Sequence, residues 1–430
     1  MNIVHLSKSD DRGAFIAAYR FHKQVSSAGH NSVLVVAKKT TKDTDVIEVR
    51  VNFFEKLYIR FVNLISSTLI KKKTNPRFSF YNYFEKFAYP VAAIRKSFPF
   101  NPDIICVHWV SGFINARVLY QLHKKTGAHI IWRFNDMNAF TGGCHYNNNC
   151  NQYFNACGNC PALHSADIHD RSYRNLEQKI KYFSKTGITF ISSTSEIDEQ
   201  LKSSAVARHA QTKLIMLSCG NEFLYNRAGK NEAAFFLKLP PNRKIIFFGA
   251  QSVYDPRKGL RELIESLQIL EQSISPELAA RILIVYASSA EGDLKMDFGF
   301  ETRRIPFLKN DEEMAMAYQA ATVFVSPSIE DAGPMMLAES MLCGTPVVAY
   351  QIGLAKDALI NNVTGFIVPP ANVSKFAEAI QQIIEMDDIA YRALSQSCSS
   401  KAAEIFNEQR EIDEYNMLFT HLKNEKQHVQ

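Results

Sequence analysis

Along this chain, short runs of β-branched and aromatic residues alternate with longer stretches whose apolar positions recur every three or four residues. The short runs read as buried strands and the longer stretches as helices with one apolar face. In the first half the strands fall at Asn2–Leu6, Ser32–Ala37, Asp103–Val107, His129–Phe134, Ile188–Ser193 and Lys213–Leu217. Between the first two, Ala14, Ala18, Phe21 and Val25 keep helical spacing until Gly29 stops the helix. Residues 219–241 read as linker and entry to a second half, where the pattern restarts. Strands are expected there at Lys244–Phe248, Ile282–Tyr286, Val323–Val325 and Val347–Tyr350, and helices at Leu260–Leu270, Asp311–Ala320, Met335–Leu342 and Ser374–Glu385. Two similar α/β halves predict two doubly wound domains, 1–220 and 221–405, facing across a cleft. The last stretch, Phe406–Leu422, sets Ile412, Tyr415, Leu418 and Leu422 on one face and predicts a helix closing the chain within 406–430.

The segment Ser326–Tyr350, SPSIEDAGPMMLAESMLCGTPVVAY, carries the most chemistry. A strand leads into a polar loop with Glu330 and Asp331, then Gly333 and Pro334, then a helix that Cys343-Gly344-Thr345-Pro346 stops. Free backbone N–H groups and the positive dipole end at that helix start favour an anion, typically a phosphate. Glu339, about one turn into the helix, is placed to accept two hydrogen bonds from a ribose diol. Asp331 would lie nearer whatever the phosphate carries. An ordinary βαβ unit with a solvated acidic loop reads equally well from these residues alone. Upstream, Arg257 and Lys258 precede a helix, where two cations would neutralise a diphosphate; solvated loop charge is the bland alternative.

Composition narrows the class. The 430 residues are 46% hydrophobic, enough for two or three packed domains and against disorder. The net charge of +6 suits an anionic ligand or membrane surface, but it is too small and dispersed for nucleic acid. No apolar run reaches the length of a membrane span, and the N-terminus reads as a strand and not a signal peptide, so a cytoplasmic location is expected. Residues 51–100 interleave Phe and Tyr with Lys and Arg. They read either as core helices with solvated cations or as a basic amphipathic segment that lies peripherally on an anionic membrane.

Residues at the carboxyl ends of parallel strands face the ligand crevice, which singles out His108 and Asp136; a satisfied core histidine is the alternative for His108. Eight cysteines in such a chain suggest thiols or metal ligands. Within the Cys-rich loop 141–161, Cys144, Cys150, Cys157 and Cys160 could hold one structural Zn²⁺, with His145 or His164 replacing a thiolate. Disulfides or plain thiols are the alternatives.

Two segments resemble a known family. Asp331, Glu339 and Cys343-Gly344-Thr345-Pro346-Val347-Val348 look like the nucleotide-sugar motif of the family 4 retaining glycosyltransferases of GT-B fold, Glu-x7-Glu followed by Cys-Gly-Thr-Pro. The first acid is Asp here, with Glu330 just before it. NDMNAFTGGCHYNNNCNQYFNACGNCP, starting at Asn135, is similar to the Cys-rich segment of a branch that includes colanic-acid, exopolysaccharide and O-antigen enzymes. Asn135 and Asn138 stand where that branch has His and Trp.

The resemblance implies a nucleoside-diphosphate sugar donor, of UDP or GDP type, bound in the second domain. Glu339 would hold the ribose, Arg257 and Lys258 the diphosphate, and the helix start at Gly333 and Pro334 the sugar-phosphate. Asp331 or Glu330 would hold the sugar hydroxyls, and backbone near Ile305 the base. Gly13 would lie in a loop facing the cleft. An arginine five residues before Lys258 is expected in the family, but Val253 stands there, and Arg257 would substitute. No catalytic metal or other cofactor is required. His108 and Asp136 would serve the acceptor side, and the acceptor would be a lipid-linked glycan. The last helix would pack back on the first domain. Rival readings are a nucleotide-sugar 2-epimerase, a zinc-stabilised binding protein and a non-catalytic relative.

Overall fold

The protein was analysed as a computed structural model that describes residues 1–10, 13–220, 223, 228–250, 254–288, 297–305, 308, 310–333 and 335–428. Two compact units emerge. The first comprises Met1–Ser193, Ile197–Ile215 and Gln409–Gln430, the second Thr194–Glu196 and Met216–Glu408. Each is a wholly parallel sheet with helices between most successive strands, the doubly wound α/β architecture expected of the GT-B fold.

The first sheet has seven strands: β1 (Asn2–Ser9), β2 (Asn31–Lys38), β3 (Val46–Glu48), β4 (Ile104–Val107), β5 (His129–Phe134), β6 (Thr189–Ser192) and β7 (Gln211–Leu214), in the order β3-β2-β1-β4-β5-β6-β7. The direction of winding reverses between β1 and β4, where Ile3 pairs with Ile104 and Leu6 with Val107. The crevice at such a reversal, outside the carboxyl ends of the strands, is where open α/β sheets bind ligands. Strands buried on both faces need continuous apolar runs, which explains Ile104-Ile105-Cys106-Val107. Helix α1 (Gly13–Ser27) connects β1 to β2 and buries Ala18, Phe21 and Val25. On the same core lies the helix Glu408–His428, whose Ile412, Tyr415, Leu418 and Leu422 cluster with Ile3, Phe21 and Cys106.

The second sheet has six strands: β8 (Lys244–Ala250), β9 (Ile282–Ser288), β10 (Thr302–Ile305), β11 (Val323–Ser326), β12 (Val347–Tyr350) and β13 (Gly365–Val368), in the order β10-β9-β8-β11-β12-β13. Its reversal lies between β8 and β11, with Phe247 opposite Phe324.

The helices at Asp311–Ala320 and Met335–Leu342 have the expected bounds. Asn310 caps the former by accepting from Glu313 N–H, satisfying a donor the helix leaves open. Two expectations need correcting. The stretch read as linker contains a helix, Lys230–Phe236, that buries Ala233 and Ala234. Within 51–100 the core-helix reading describes the short helix Val91–Lys96, which buries Ala93 and Ile94, but not helix α2 (Phe53–Lys73), which buries Val62 alone and exposes Phe53, Phe54, Leu57, Phe61, Leu64 and Ile65. Periodicity gives a helix an apolar face without saying whether the protein covers it. No helix among the described residues is long and apolar enough to cross a membrane.

Candidate active site

In the second unit, the switch point between β8 and β11 gathers the acidic segment. β11 delivers the chain to Ser326, and the loop 327–333 leads to the helix Met335–Leu342. Gly249, near the end of β8, comes so close that a Cβ there would sit 2.7 Å from Met336 Cε. A second glycine fixes the cations. Gly259 has φ +68°, and a Cβ there would collide with the Pro327 carbonyl. The Arg257-Lys258 turn therefore lies directly on the acidic loop, and Ile329 N–H donates to Arg257 O at 2.8 Å.

Charges pair across this contact. Lys258 Nζ donates to Asp331 Oδ2, while Gly333 N–H donates to Asp331 Oδ1 at 3.2 Å. Burial pushes the Asp331 carboxyl up, but the Lys258 ammonium and the Gly333 N–H outweigh it and hold the group below the usual carboxylate range. Arg257 pairs with Asp255 at 2.6 Å, and Asp255 caps the turn by accepting from Arg257 N–H. Glu330 adjoins the same turn: its N–H points at Arg257 O over 3.5 Å.

Glu339 is buried, and the Tyr318 hydroxyl donates to its Oε2 at 2.9 Å. Burial and then the Glu339 charge push the Tyr318 phenol far up, so it stays a donor. Ile305 ends the edge strand β10, its side chain in the core. Pro334 lies outside the described residues. Sequence reasoning missed Tyr318 and Asp255 as parts of this site. The Asp255-Pro256 cap signal was present, whereas a tyrosine in an Ala-rich helix gives none.

The first unit places its candidates differently. Gly13 opens α1. His108 follows β4 but is buried, with Nε2 3.0 Å from His5 Nδ1 and the two rings stacked at 5.3 Å. Burial, then the charges of Arg133 and His22, hold its pKa well below the ordinary histidine value. The alternative of a satisfied core histidine describes His108 as found. Asp136 follows β5, accepting from Asn138 N–H at Oδ1 (2.9 Å) and lying 2.7 Å from His145 Nδ1 at Oδ2. On the far side of that ring, His145 Nε2 lies 2.9 Å from Ser111 Oγ and 2.7 Å from Asn138 Nδ2. Asn82 and Lys179 donate toward the Asn138 side-chain oxygen, so its amide N–H₂ must face His145. Nε2 therefore faces the amide donor, while Nδ1 lies between the Asp136 carboxylate and the Trp109 indole N–H, which points at it over 3.2 Å. Tyr81 packs edge-on against His145 at 4.9 Å, and Trp109 lies beside it at 5.8 Å. Asn138 and His145 share the Cys-rich segment with Asp136, but Ser111, Asn82, Lys179, Tyr81 and Trp109 come from distant parts of the chain, which is why the network was invisible there.

The four cysteines share one neighbourhood. Cys144 and Cys160 pack with Phe80, and burial, then Cys160, Cys157 and Cys150, push the Cys144 thiol up. Burial pushes Cys157 to about 12 against the Gly142 N–H. Burial pushes the Cys160 thiol up, against the Ser172 hydroxyl and the Leu163 N–H, which favour its thiolate. Among the described residues, however, the group of three whose ligand atoms all come within 4.8 Å of one another is His5, Cys106 and His108.

Comparison with known proteins agrees with the second unit. Residues 242–386 match the family model "Glycosyl transferases group 1". Among curated relatives, a D-inositol 3-phosphate glycosyltransferase of Corynebacterium urealyticum is 29% identical over 162 residues, 35% of this chain and 37% of that one. A protein of the same name from Nocardiopsis dassonvillei is 25% identical over 237 residues, 52% of this chain and 53% of its own. The chain thus spans about half the length, or less, of these relatives. Solved structures align over nearly the whole chain. Sucrose-phosphate synthase of Thermosynechococcus elongatus superposes with a TM-score of 0.67 at 17% identity, covering 99% of this chain and 100% of its own. Anabaena HepE in complex with UDP-glucose gives 0.64 at 13%, covering 98% and 100%. Residues 242–386 accordingly resemble a glycosyl transferases group 1 domain, set in a chain with the fold class of GT-B proteins.

Proposed function

We propose that this protein is a retaining, metal-independent glycosyltransferase. It would move a sugar from a nucleoside-diphosphate sugar to a lipid-linked glycan acceptor in surface polysaccharide biosynthesis. The observation that carries this reading is the Lys258–Asp331 pair on the loop leading to the Met335–Leu342 helix, at the switch point of the second sheet. A diphosphate arriving there competes with Asp331 for the Lys258 ammonium. Phosphate takes the cations and the helix start; Asp331, released, accepts from sugar hydroxyls, with Glu330 beside it. Glu339, already oriented by Tyr318, accepts from the ribose diol. Charge building on the departing phosphate is stabilised by Lys258 and Arg257, which removes the need for a metal. The acceptor hydroxyl attacks from the face the nucleotide leaves, its proton passing to the departing phosphate, and the configuration is retained. No protein nucleophile is assigned. Asp136, held by His145, serves the acceptor side. UDP-glucose complexes among the structural relatives favour a UDP-type donor.

The lipid-linked acceptor and the polysaccharide role rest on the resemblance of the Cys-rich segment. Bound at Cys144, Cys150, Cys157 and Cys160, Zn²⁺ would clamp that loop without entering the chemistry. Relatives named for D-inositol 3-phosphate favour a second reading, a small phosphorylated acceptor.

A thermal-shift panel of UDP, GDP, CDP, dTDP and ADP tests the donor site. A ligand of the native state at a hundredfold excess over Kd adds about 2.7 kcal/mol. One nucleotide should stabilise the wild type and lose its effect in Glu339→Ala. Equal shifts in both proteins would move the donor elsewhere. Turnover of that donor with lipid-linked against phosphorylated soluble acceptors then separates the two acceptor readings.

A further inference from the structure

Helix α2 turns its more apolar face away from the protein. Its covered positions are Glu55, Ile59, Val62, Ser66, Leu69 and Ile70, three or four residues apart, which seat the helix on the first unit. The opposite side presents Phe53, Phe54, Leu57, Phe61, Leu64 and Ile65 to solvent, with Phe54 79%, Phe61 60% and Leu64 66% exposed. These positions also recur every three or four residues and form one stripe along a helix about 30 Å long. Scattered exposed apolar residues are ordinary, but a continuous stripe of this size marks a surface that something covers. The helix is well made regardless. Asn52 accepts from Glu55 N–H, and Glu55 accepts from Asn52 N–H at 2.8 Å, closing a capping box.

Charge identifies the cover. Lys56, Arg60, Lys71, Lys72 and Lys73 are all exposed, and the helix's one acid, Glu55, is committed to the cap. A second copy of this helix laid on the stripe would set like charges together with no acid to pair them. An anionic bilayer takes both features at once. Aromatic and aliphatic side chains enter the headgroup boundary, and the cations meet acidic lipid heads. The basic residues within the helix and its contact with the first unit exclude a span, so the helix lies in the plane of the interface.

We propose that α2 is the membrane-docking element of this protein, an in-plane amphipathic helix that binds anionic lipid surfaces. The proposal stands on the exposure and charge of α2, independently of the donor reading.

The test is co-sedimentation of the full chain with phosphatidylcholine vesicles and with vesicles containing phosphatidylglycerol, at two salt concentrations. Three proteins are compared: wild type, Phe54→Gln/Phe61→Gln/Leu64→Gln, and Lys71→Gln/Lys72→Gln/Lys73→Gln. Wild type should sediment with the anionic vesicles and be released by salt. Removing three lysines should weaken binding on the order of a hundredfold, from about fivefold each. The apolar variant should lose at least as much while keeping its melting temperature. The proposal fails if wild type stays in solution with both vesicles, or if the apolar variant binds like wild type. It fails equally if light scattering finds a dimer that the apolar variant dissolves, which would make the stripe a protomer interface. Because nucleotide thermal shifts do not involve α2, failure here leaves the donor site standing, and the reverse holds as well.

Discussion

Asp331 and Asp136 each follow a parallel strand, β11 and β5, and each is held by a partner brought from elsewhere in its own unit. The partners differ in kind. Asp331 meets an ammonium, Lys258, on a turn whose neighbouring cation, Arg257, pairs with the Asp255 carboxylate. Asp136 meets an imidazole that is in turn fixed by Ser111 and Asn138, with Lys179 and Glu85 behind them. A cation paired with one carboxylate can exchange it for a phosphate. A network in which each donor already has its acceptor cannot be rearranged at the same cost, because every displaced group is left buried and unpaired. On the proposed function, the network of the first unit holds Asp136 in place, whereas the Lys258–Asp331 pair of the second is open to exchange.

The largest test of that contrast lies at Arg133 and Glu411, a fully buried pair 2.5 Å apart that fastens the last helix to the first unit. Arg133 also donates to Ala17 O and stacks over Phe21 at 4.4 Å. Arg133→Leu leaves the Glu411 carboxylate buried without its cation and should cost about 3–5 kcal/mol. Denaturant unfolding should show it as a lower midpoint. Adding Glu411→Leu should restore most of the loss. A single substitution that changes the midpoint little would contradict the claim that the buried charges of this unit are structural.

Next in size is Lys258→Ala. Losing a cation that faces the departing phosphate should reduce kcat about 10²–10³-fold, and stability should fall by less than in Arg133→Leu, because Lys258 is partly exposed and the Gly333 N–H and Arg257 still face the Asp331 carboxylate. A fall in stability with intact kcat would make Lys258 a structural residue like Arg133 and erase the contrast.

How far the two sites could be read in advance follows the same division. The second-unit segment is contiguous, so strand, acidic loop, helix and Gly-Thr-Pro stop appear in order, and the helix bounds Met335–Leu342 follow from Pro and Gly placement. The central strands were equally legible, because buried parallel strands are short apolar runs; the edge strands Val46–Glu48 and Thr302–Ile305, short and partly polar, were not. Lys258 meeting Asp331 was not readable, since Gly259 packing on Pro327 and the Ile329 N–H bond to Arg257 O bring together residues 73 positions apart. The His145 network joins Asp136 and Asn138 of its own segment to residues 82, 111 and 179, which local patterning cannot associate with it. His108 was read as a crevice residue from its place after β4. Its side chain instead turns into the core toward His5, on the side of the sheet where Cys106 also points.

Those buried histidines give a pH test. His5 and His108 have pKa values well below the ordinary value, through burial first and then neighbouring charge, including Arg133, with His22 facing them. Their folded forms bind protons less readily than the unfolded chain does. Their contribution is therefore complete above the unfolded value near 6.5 and is lost as pH falls below it toward the folded values. Between pH 6.5 and 5.5 each should cost about 1 kcal/mol, about 2 kcal/mol together. Unfolding midpoints across that interval measure it. Asp331 has a depressed pKa of the opposite chemical type, so its contribution is lost only below the ordinary carboxylate value, under pH ~4. A stability curve that stays flat from 6.5 to 5.5 would mean that the first unit does not exclude protons from this pair.

The smallest effect belongs to Tyr318→Phe, and it discriminates most finely. The substitution keeps the buried ring, which packs against Phe247 and Phe324, and removes only the hydroxyl that donates to Glu339. Losing one hydrogen bond to a carboxylate costs about 1–2 kcal/mol. If Glu339 is there to receive a ribose diol, its loss of orientation should appear as roughly 5–30-fold weaker nucleotide binding, converted from that range. The same nucleotide lacking its ribose hydroxyls should bind wild type and Tyr318→Phe alike, because neither protein can use Glu339 against it. If stability falls while both nucleotides keep their affinities, Glu339 and Tyr318 form a buried pair of the kind seen in the first unit. The exchangeable part of the second site would then be confined to Lys258, Arg257 and the acidic loop they touch.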